Sequence, residues 1–191
     1  MSVSRITSRY ARSLIQLAQE LDKLDRVMDD IKGVKQMLRN RDFLVLLKSP
    51  VIPDYKKSKV VSLLLGDKLD DLTMRFFQLL ISKQRDSYLP EIIEQFIEQY
   101  KEIRNINTVK VTSAHQLDEA TLEKIKLRIR ELGLVNGGQI EIVERVDPDL
   151  IGGFILEYKG YIYDSSVTQQ LAKMKKKYFE ENPYTSQIRA R

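Results

Sequence analysis

The chain has 191 residues, 42% hydrophobic and 31% charged, which gives room for one domain or two small ones and the profile of a helix-rich globular protein. It has no cysteine and one histidine, His115, which excludes a disulfide framework, a thiolate metal site, a cysteine nucleophile and a paired-histidine metal site. The net charge of +5 is spread rather than focused, unlike the concentrated basic face of most nucleic-acid binders.

The first twenty residues carry Arg5, Arg9 and Arg12 inside their apolar pattern, so they lack the unbroken apolar core of a signal peptide. No segment approaches the roughly 18 consecutive apolar residues of a membrane span. Instead Ile6, Tyr10, Leu14, Leu17 and Leu21 recur at helical spacing, flanked by the small Ala11 and Ala18. Asp22 is placed to cap a second helix carrying Leu24, Val27, Ile31, Val34 and Leu38. A short apolar run, FLVLLK, follows Asp42 and stops at Pro50. Pro53 and Asp54 then open a helix that closes at Gly66. A fifth helix over about 69–82 carries Leu69, Leu72, Phe76, Phe77, Leu79 and Leu80, wide enough to meet two neighbours. Pro90 suits the first turn of a sixth, whose buried side is Ile92, Ile93, Phe96, Ile97, Tyr100 and Ile103. Five or six helices joined by short loops predict an antiparallel bundle over residues 1–105.

The period then changes. Of eight glycines, only Gly33 and Gly66 precede residue 106. Residues 105–113 alternate and are β-branched, a strand signal. Residues 118–132 return to helical spacing through Leu122, Ile125, Ile129 and Leu132, with Gly133 as the cap. QIEIVERV alternates again. The whole is predicted as α+β: an all-α N-terminal bundle followed by a small α/β module over 106–191.

The stretch VDPDLIGGFILEYKGYIYDSS, 146–166, decides between chemistry and architecture. Gly152-Gly153 has neither G-x-G-x-x-G spacing nor a following Lys-Ser/Thr, so it does not form a phosphate cradle. Asp147-Pro148 reads as a turn, the glycine pair as a bend, FILEY and YIY as a hairpin around Lys159-Gly160. Asp164 or Ser165 is expected to cap a last helix bearing Val167, Leu171, Met174 and Tyr178. Nothing gathers an Asp, a Ser and His115 into one triad, and Asp147 and Asp149 flank a turn proline as solvated acids do. The basic run KMKKKY, 173–178, fans around its helix and reads as a solvated surface. A nucleic-acid adaptor using that helix is the alternative to the reading below.

The residues Ile140, Ile142, Val146, Asp147, Leu150, Ile151, Gly152, Gly153, Phe154 and Leu156, then Asp164, Ser166, Val167 and Leu171, resemble the signature of the F-type ATP synthase delta subunit family, which includes the mitochondrial oligomycin-sensitivity-conferring protein. RYARSL near the N-terminus, with Tyr10, Ala11, Ser13 and Leu14, resembles that family's opening helix. Ser165 stands where many members have glycine, Thr168 where many have arginine, and Ser13 where alanine is usual.

The resemblance implies a non-catalytic subunit without cofactor or metal, one copy per complex, joining the catalytic head to the peripheral stalk during proton-driven ATP synthesis. It implies that the bundle grips the N-terminal helix of an alpha subunit between its first and fifth helices, with Tyr10, Ala11, Leu14, Leu17, Ala18, Phe76, Phe77 and Leu80 as candidate groove residues. The C-terminal module would hold the C-terminal region of a b subunit, with Leu171, Met174, Tyr178 and Phe179 as candidates. The absence of a leader favours a bacterial member, peripheral on the cytoplasmic face of the cell membrane and touching it only through the complex.

Overall fold

The computed structural model describes residues 3–131, 133, 135 and 137–181, with side chains to Tyr178. The chain divides into two compact units, Met1–Ile103 and Arg104–Arg191.

Among the described residues the first unit holds six α-helices: α1 (Val3–Glu20), α2 (Leu24–Met37), α3 (Arg41–Lys48), α4 (Asp54–Leu65), α5 (Asp71–Ser82) and α6 (Leu89–Ile103). Their apolar stripes meet in one core that includes Leu14, Ile15, Val27, Ile31, Leu47, Leu65, Leu80, Ile92 and Phe96. Local chemistry sets the boundaries. Asn40 caps α3 by accepting from the N–H of Asp42, and Asp70 caps α5 by accepting from that of Leu72. Asp22 does not cap α2. It takes φ +52° and ends α1, with Lys23 N–H donating to Ala18 O and Asp22 N–H to Gln19 O. This is the paired bonding that terminates helices through a left-handed residue. Gln84 ends α5 in the same way, at φ +54°, with Arg85 N–H on Leu80 O and Gln84 N–H on Ile81 O.

Glycine is the residue suited to that position, since a Cβ strains the left-handed region. Gln84→Gly is therefore expected to stabilise the bundle by about 0.5–1 kcal/mol after glycine's own entropy cost. A rise in the urea midpoint at unchanged slope checks it; a fall would show that the Gln84 side chain contributes more than its backbone costs.

The second unit is a four-stranded mixed sheet in the order β2-β1-β3-β4, built from β1 (Ile106–Ser113), β2 (Gln139–Val146), β3 (Phe154–Tyr158) and β4 (Tyr161–Asp164). β1 and β2 run parallel, with Val109 opposite Ile142, and α7 (Glu119–Glu131) makes the crossover between them. β3 is antiparallel to both β1 and β4. One face is apolar: Val109, Val111, Ile140, Leu156 and Tyr158 pack with Ile125 and Ile129 of α7. The pleat sends Lys110 and Glu157 to the other face, where they pair at 3.2 Å. Gly133 lies in the left-handed region beyond α7, while Leu132 lies outside the described residues. The β3–β4 turn has Lys159 at φ +47° and Gly160 at φ +84°, the two left-handed residues that a tight two-residue hairpin requires. The final helix, α8 (Val167–Glu181), follows.

Candidate functional site

The bundle carries an apolar groove of about 500 Å³ between α1 and α5. α1 contributes Tyr10, Ser13, Leu14 and Leu17, with Leu21 in the turn just past its end; α5 contributes Asp71, Leu72, Arg75, Phe76 and Leu79. Leu14 and Phe76 are buried and form its floor. Leu17, Leu21 and Leu79 are 43%, 52% and 46% exposed and form its walls. Four of the eight candidates thus line the groove: Tyr10, Leu14, Leu17 and Phe76. The other four, Ala11, Ala18, Phe77 and Leu80, are packed in the bundle core. The small Ala11 and Ala18 let α1 approach its neighbours rather than an outside helix. Leu21, Leu72 and Leu79 were legible as members of helical apolar sets, but not as the members turned outward.

The groove is held open by polar bonds at one end. Asp30 of α2 is buried, and its Oδ2 accepts from Thr73 Oγ1 and from the N–H of Asp70, both at 2.8 Å. This ties the start of α5 to α2. The rim charges satisfy one another. Lys23 Nζ lies 2.8 Å from Asp70, and Arg75 lies 2.9 Å from Asp71. The hydrogen bond from Lys23, and then that from the Leu72 N–H, hold the Asp70 carboxyl below its ordinary pKa. The groove therefore offers apolar area and little unpaired charge, the chemistry that receives the apolar face of an amphipathic helix.

In the second unit the signature residues form a clasp around the start of α8. Asp147 accepts from the N–H of Asp149 and opens a single 3-10 turn, Pro148–Leu150, whose Leu150 is buried. Gly152 O accepts from the N–H of Val167, and Phe154 O from that of Ser165. Gly153 sits at φ +79° against the backbone of Ser165 and Ser166, so only glycine fits. Phe154 packs at the edge of the sheet core. The cap of α8 is Ser166, neither Asp164 nor Ser165. Ser166 Oγ accepts from the Gln169 N–H, while Asp164, two residues earlier, accepts from the N–H of Ser166 and braces the cap. The Ser166 N–H, and then its hydroxyl, lower the Asp164 pKa, so this bracing is present at neutral pH and is lost as pH falls through the lowered value. Thr168 Oγ1 donates to Leu150 O at 3.3 Å, tying the first turn of α8 to the 3-10 turn.

Beyond its first turn the described side chains of α8, 171–178, are exposed. Leu171, Met174 and Tyr178 are 54%, 67% and 61% exposed, and none of the helix's described side chains is buried. The side chain of Phe179 lies outside the described residues. Among the described residues no helix is long and apolar enough to cross a membrane.

The described residues thus present an apolar groove on the helical bundle and an exposed helix face on the sheet module. Residues 6–178 match the model of the ATP synthase delta (OSCP) subunit family, and the chain belongs to that family. It is similar to the ATP synthase subunit delta of Cytophaga hutchinsonii, 32% identical over 95% of this chain and 98% of that one. The subunit delta of Salinibacter ruber is 34% identical over 91% and 90%, and that of a Synechocystis strain 31% over 90% and 92%. The fold matches a chain in the cryo-EM structure of the Toxoplasma gondii mitochondrial ATP synthase hexamer, with a TM-score of 0.67 at 20% identity over 91% of this chain and 97% of that chain. The protein is a structural subunit of an ATP synthase and not itself a catalyst. This family gives the nucleic-acid reading no support.

Proposed function

We propose that this subunit ties the catalytic head to the peripheral stalk, gripping an alpha-subunit N-terminal helix in the α1/α5 groove and a b subunit through its C-terminal module, on the cytoplasmic face of a bacterial cell membrane. The division of labour follows the two units, Met1–Ile103 for alpha and Arg104–Arg191 for b, within two residues of the boundary expected after residue 105. The observation that carries the reading is the groove itself: exposed Leu17, Leu21 and Leu79 around a buried floor, on a protein whose family is a structural part of the ATP synthase. An apolar patch with this shape is the feature a helix-binding surface needs.

Binding of a synthetic peptide spanning the alpha subunit's N-terminal helix, measured calorimetrically with the full chain, tests it. Leu17→Asp places a charge on the wall without touching the core. It is expected to weaken the peptide by about 100-fold, the scale of one lost apolar anchor plus a desolvated carboxylate. The circular dichroism spectrum should stay unchanged. Leu14→Asp is expected to unfold the bundle instead, because Leu14 is 2% exposed. The rim pairs Lys23–Asp70 and Asp71–Arg75 leave little charge to screen, so wild-type affinity should change less than about threefold between low and moderate salt. Equal binding by wild type and a folded Leu17→Asp would refute the groove assignment.

A further inference from the structure

We propose that the turn centred on Ile151 is a strained catch: it holds the first turn of α8 to the sheet module and releases it at a lower free energy than the sheet itself. Ile151 has φ +62° and ψ −41°, and across it the Gly152 N–H donates to Leu150 O at 2.6 Å. A hydrogen bond between residues two apart, around a centre of positive φ and negative ψ, is the strained form of the γ-turn. For a β-branched residue a positive φ is an outlier in its own right, because the branch crowds the backbone. Burial does not offset that strain, since Ile151 is 67% exposed.

Anchors on both sides impose the turn. Before it, the Asp147 N–H donates to Ser113 O of β1 at 2.8 Å, and Leu150 is buried. After it, Gly153 lies against the backbone of Ser165 and Ser166. The chain crosses from one anchor to the other through Ile151 and Gly152 alone. The same turn holds the helix. Leu150 O accepts the Thr168 hydroxyl at 3.3 Å, and Gly152 O accepts the Val167 N–H at 3.0 Å. A Cβ on Gly152 would stand 3.2 Å from Val167 Cγ2, so turn and helix are in close contact. The two acceptor oxygens lie on either side of Ile151. Relaxing its φ to a negative value therefore shifts one against the other and breaks their match to the two donors of α8. The strain released in that step offsets part of the loss of those bonds, so the start of α8 opens more readily than the strands do. The helix can then be re-aimed while the sheet stays folded.

Amide hydrogen exchange of the full chain tests this at the Val167 N–H, with the amides of the inner strand β1 as internal reference. In the wild-type protein Val167 is expected to be at least about 100-fold less protected than β1. Ile151→Gly removes the Cβ and its crowding, and is expected to raise Val167 protection about tenfold while leaving β1 unchanged. Ile151→Ala keeps the Cβ but loses the branch and should fall between the two. Ile151→Val keeps both and should match the wild type. Thr168→Val removes the hydroxyl that donates to Leu150 O and is expected to lower Val167 protection about fivefold. Circular dichroism establishes that each variant is folded. Equal Val167 protection across the Ile151 series overturns the catch. So does a fall in Ile151→Gly, which would show that the side chain holds α8 by contact instead of straining the turn. Wild-type Val167 exchanging as slowly as β1 overturns it as well, because α8 would then open only with the sheet.

Discussion

Replacing Lys57 by methionine is expected to destabilise the bundle by about 3–5 kcal/mol, the range seen when one member of a buried ion pair is removed. Lys57 Nζ donates to Asp86 Oδ2 at 2.6 Å and to Leu47 O at 2.9 Å, with both side chains under a tenth exposed. Three segments meet there: the end of α3, the first turn of α4 and the link between α5 and α6. Methionine matches the lysine stem in shape but leaves the Asp86 carboxylate and the Leu47 carbonyl without that donor, in a largely buried site. The pair itself need not stabilise the fold relative to apolar residues. Lys57→Met/Asp86→Leu should accordingly recover most of the loss, to within about 1–2 kcal/mol of wild type. Urea unfolding of the three proteins measures this directly. A single-mutant loss below about 1 kcal/mol would mean that the site relaxes to admit water.

Gly153→Ala is the second large effect, and it falls on the other unit. The new Cβ would stand in the left-handed region and run into the Ser165 carbonyl, 3.0 Å from the Ser166 Cα. Backbone strain and the forced displacement together are expected to cost about 2–4 kcal/mol. The displaced backbone carries the Ser165–Phe154 and Val167–Gly152 hydrogen bonds, so the clasp should open before the sheet does. Gly160→Ala makes the matched control. It has a similar φ of +84° but open space around its Cβ, so only the strain of about 1 kcal/mol applies. Amide hydrogen exchange should show the Ser165 and Val167 protons losing protection in Gly153→Ala, with the bundle's amides unchanged. Equal effects of the two alanines would mean that the clash is relieved at little cost.

These two sites mark what the sequence made legible. The glycine pair could be read as backbone architecture because its spacing fitted no phosphate loop and its neighbours alternated as strands. The Lys57–Asp86 pair could not. Lys57 lies in the run KKSK, where lysines read as solvated surface, and its partner is 29 residues away. The helices followed from apolar periodicity, since a 3.6-residue stripe reports directly on which face is buried. The same stripe hid the division of labour on α1, where Leu14 faces the core and Leu17, three residues on, faces the groove. α5 is apolar on several sides, so Phe77 and Leu80 could not be separated from Leu79 until neighbouring helices occupied the inner sides. Caps were the least legible. Asp22 and Asp164 are both capping residue types, but one ends a helix through a left-handed backbone and the other braces Ser166.

As we propose it, one copy of this chain holds two partners at once, the head through its bundle and the stalk through its C-terminal module. Size-exclusion chromatography with light scattering, on the full chain mixed with purified catalytic head and the soluble part of the b subunit, tests it most directly. A single complex containing all three is expected, from which Leu17→Asp loses the head but keeps b. Separate binary complexes that never combine, or a Leu17→Asp protein that still bridges head and stalk, would contradict it.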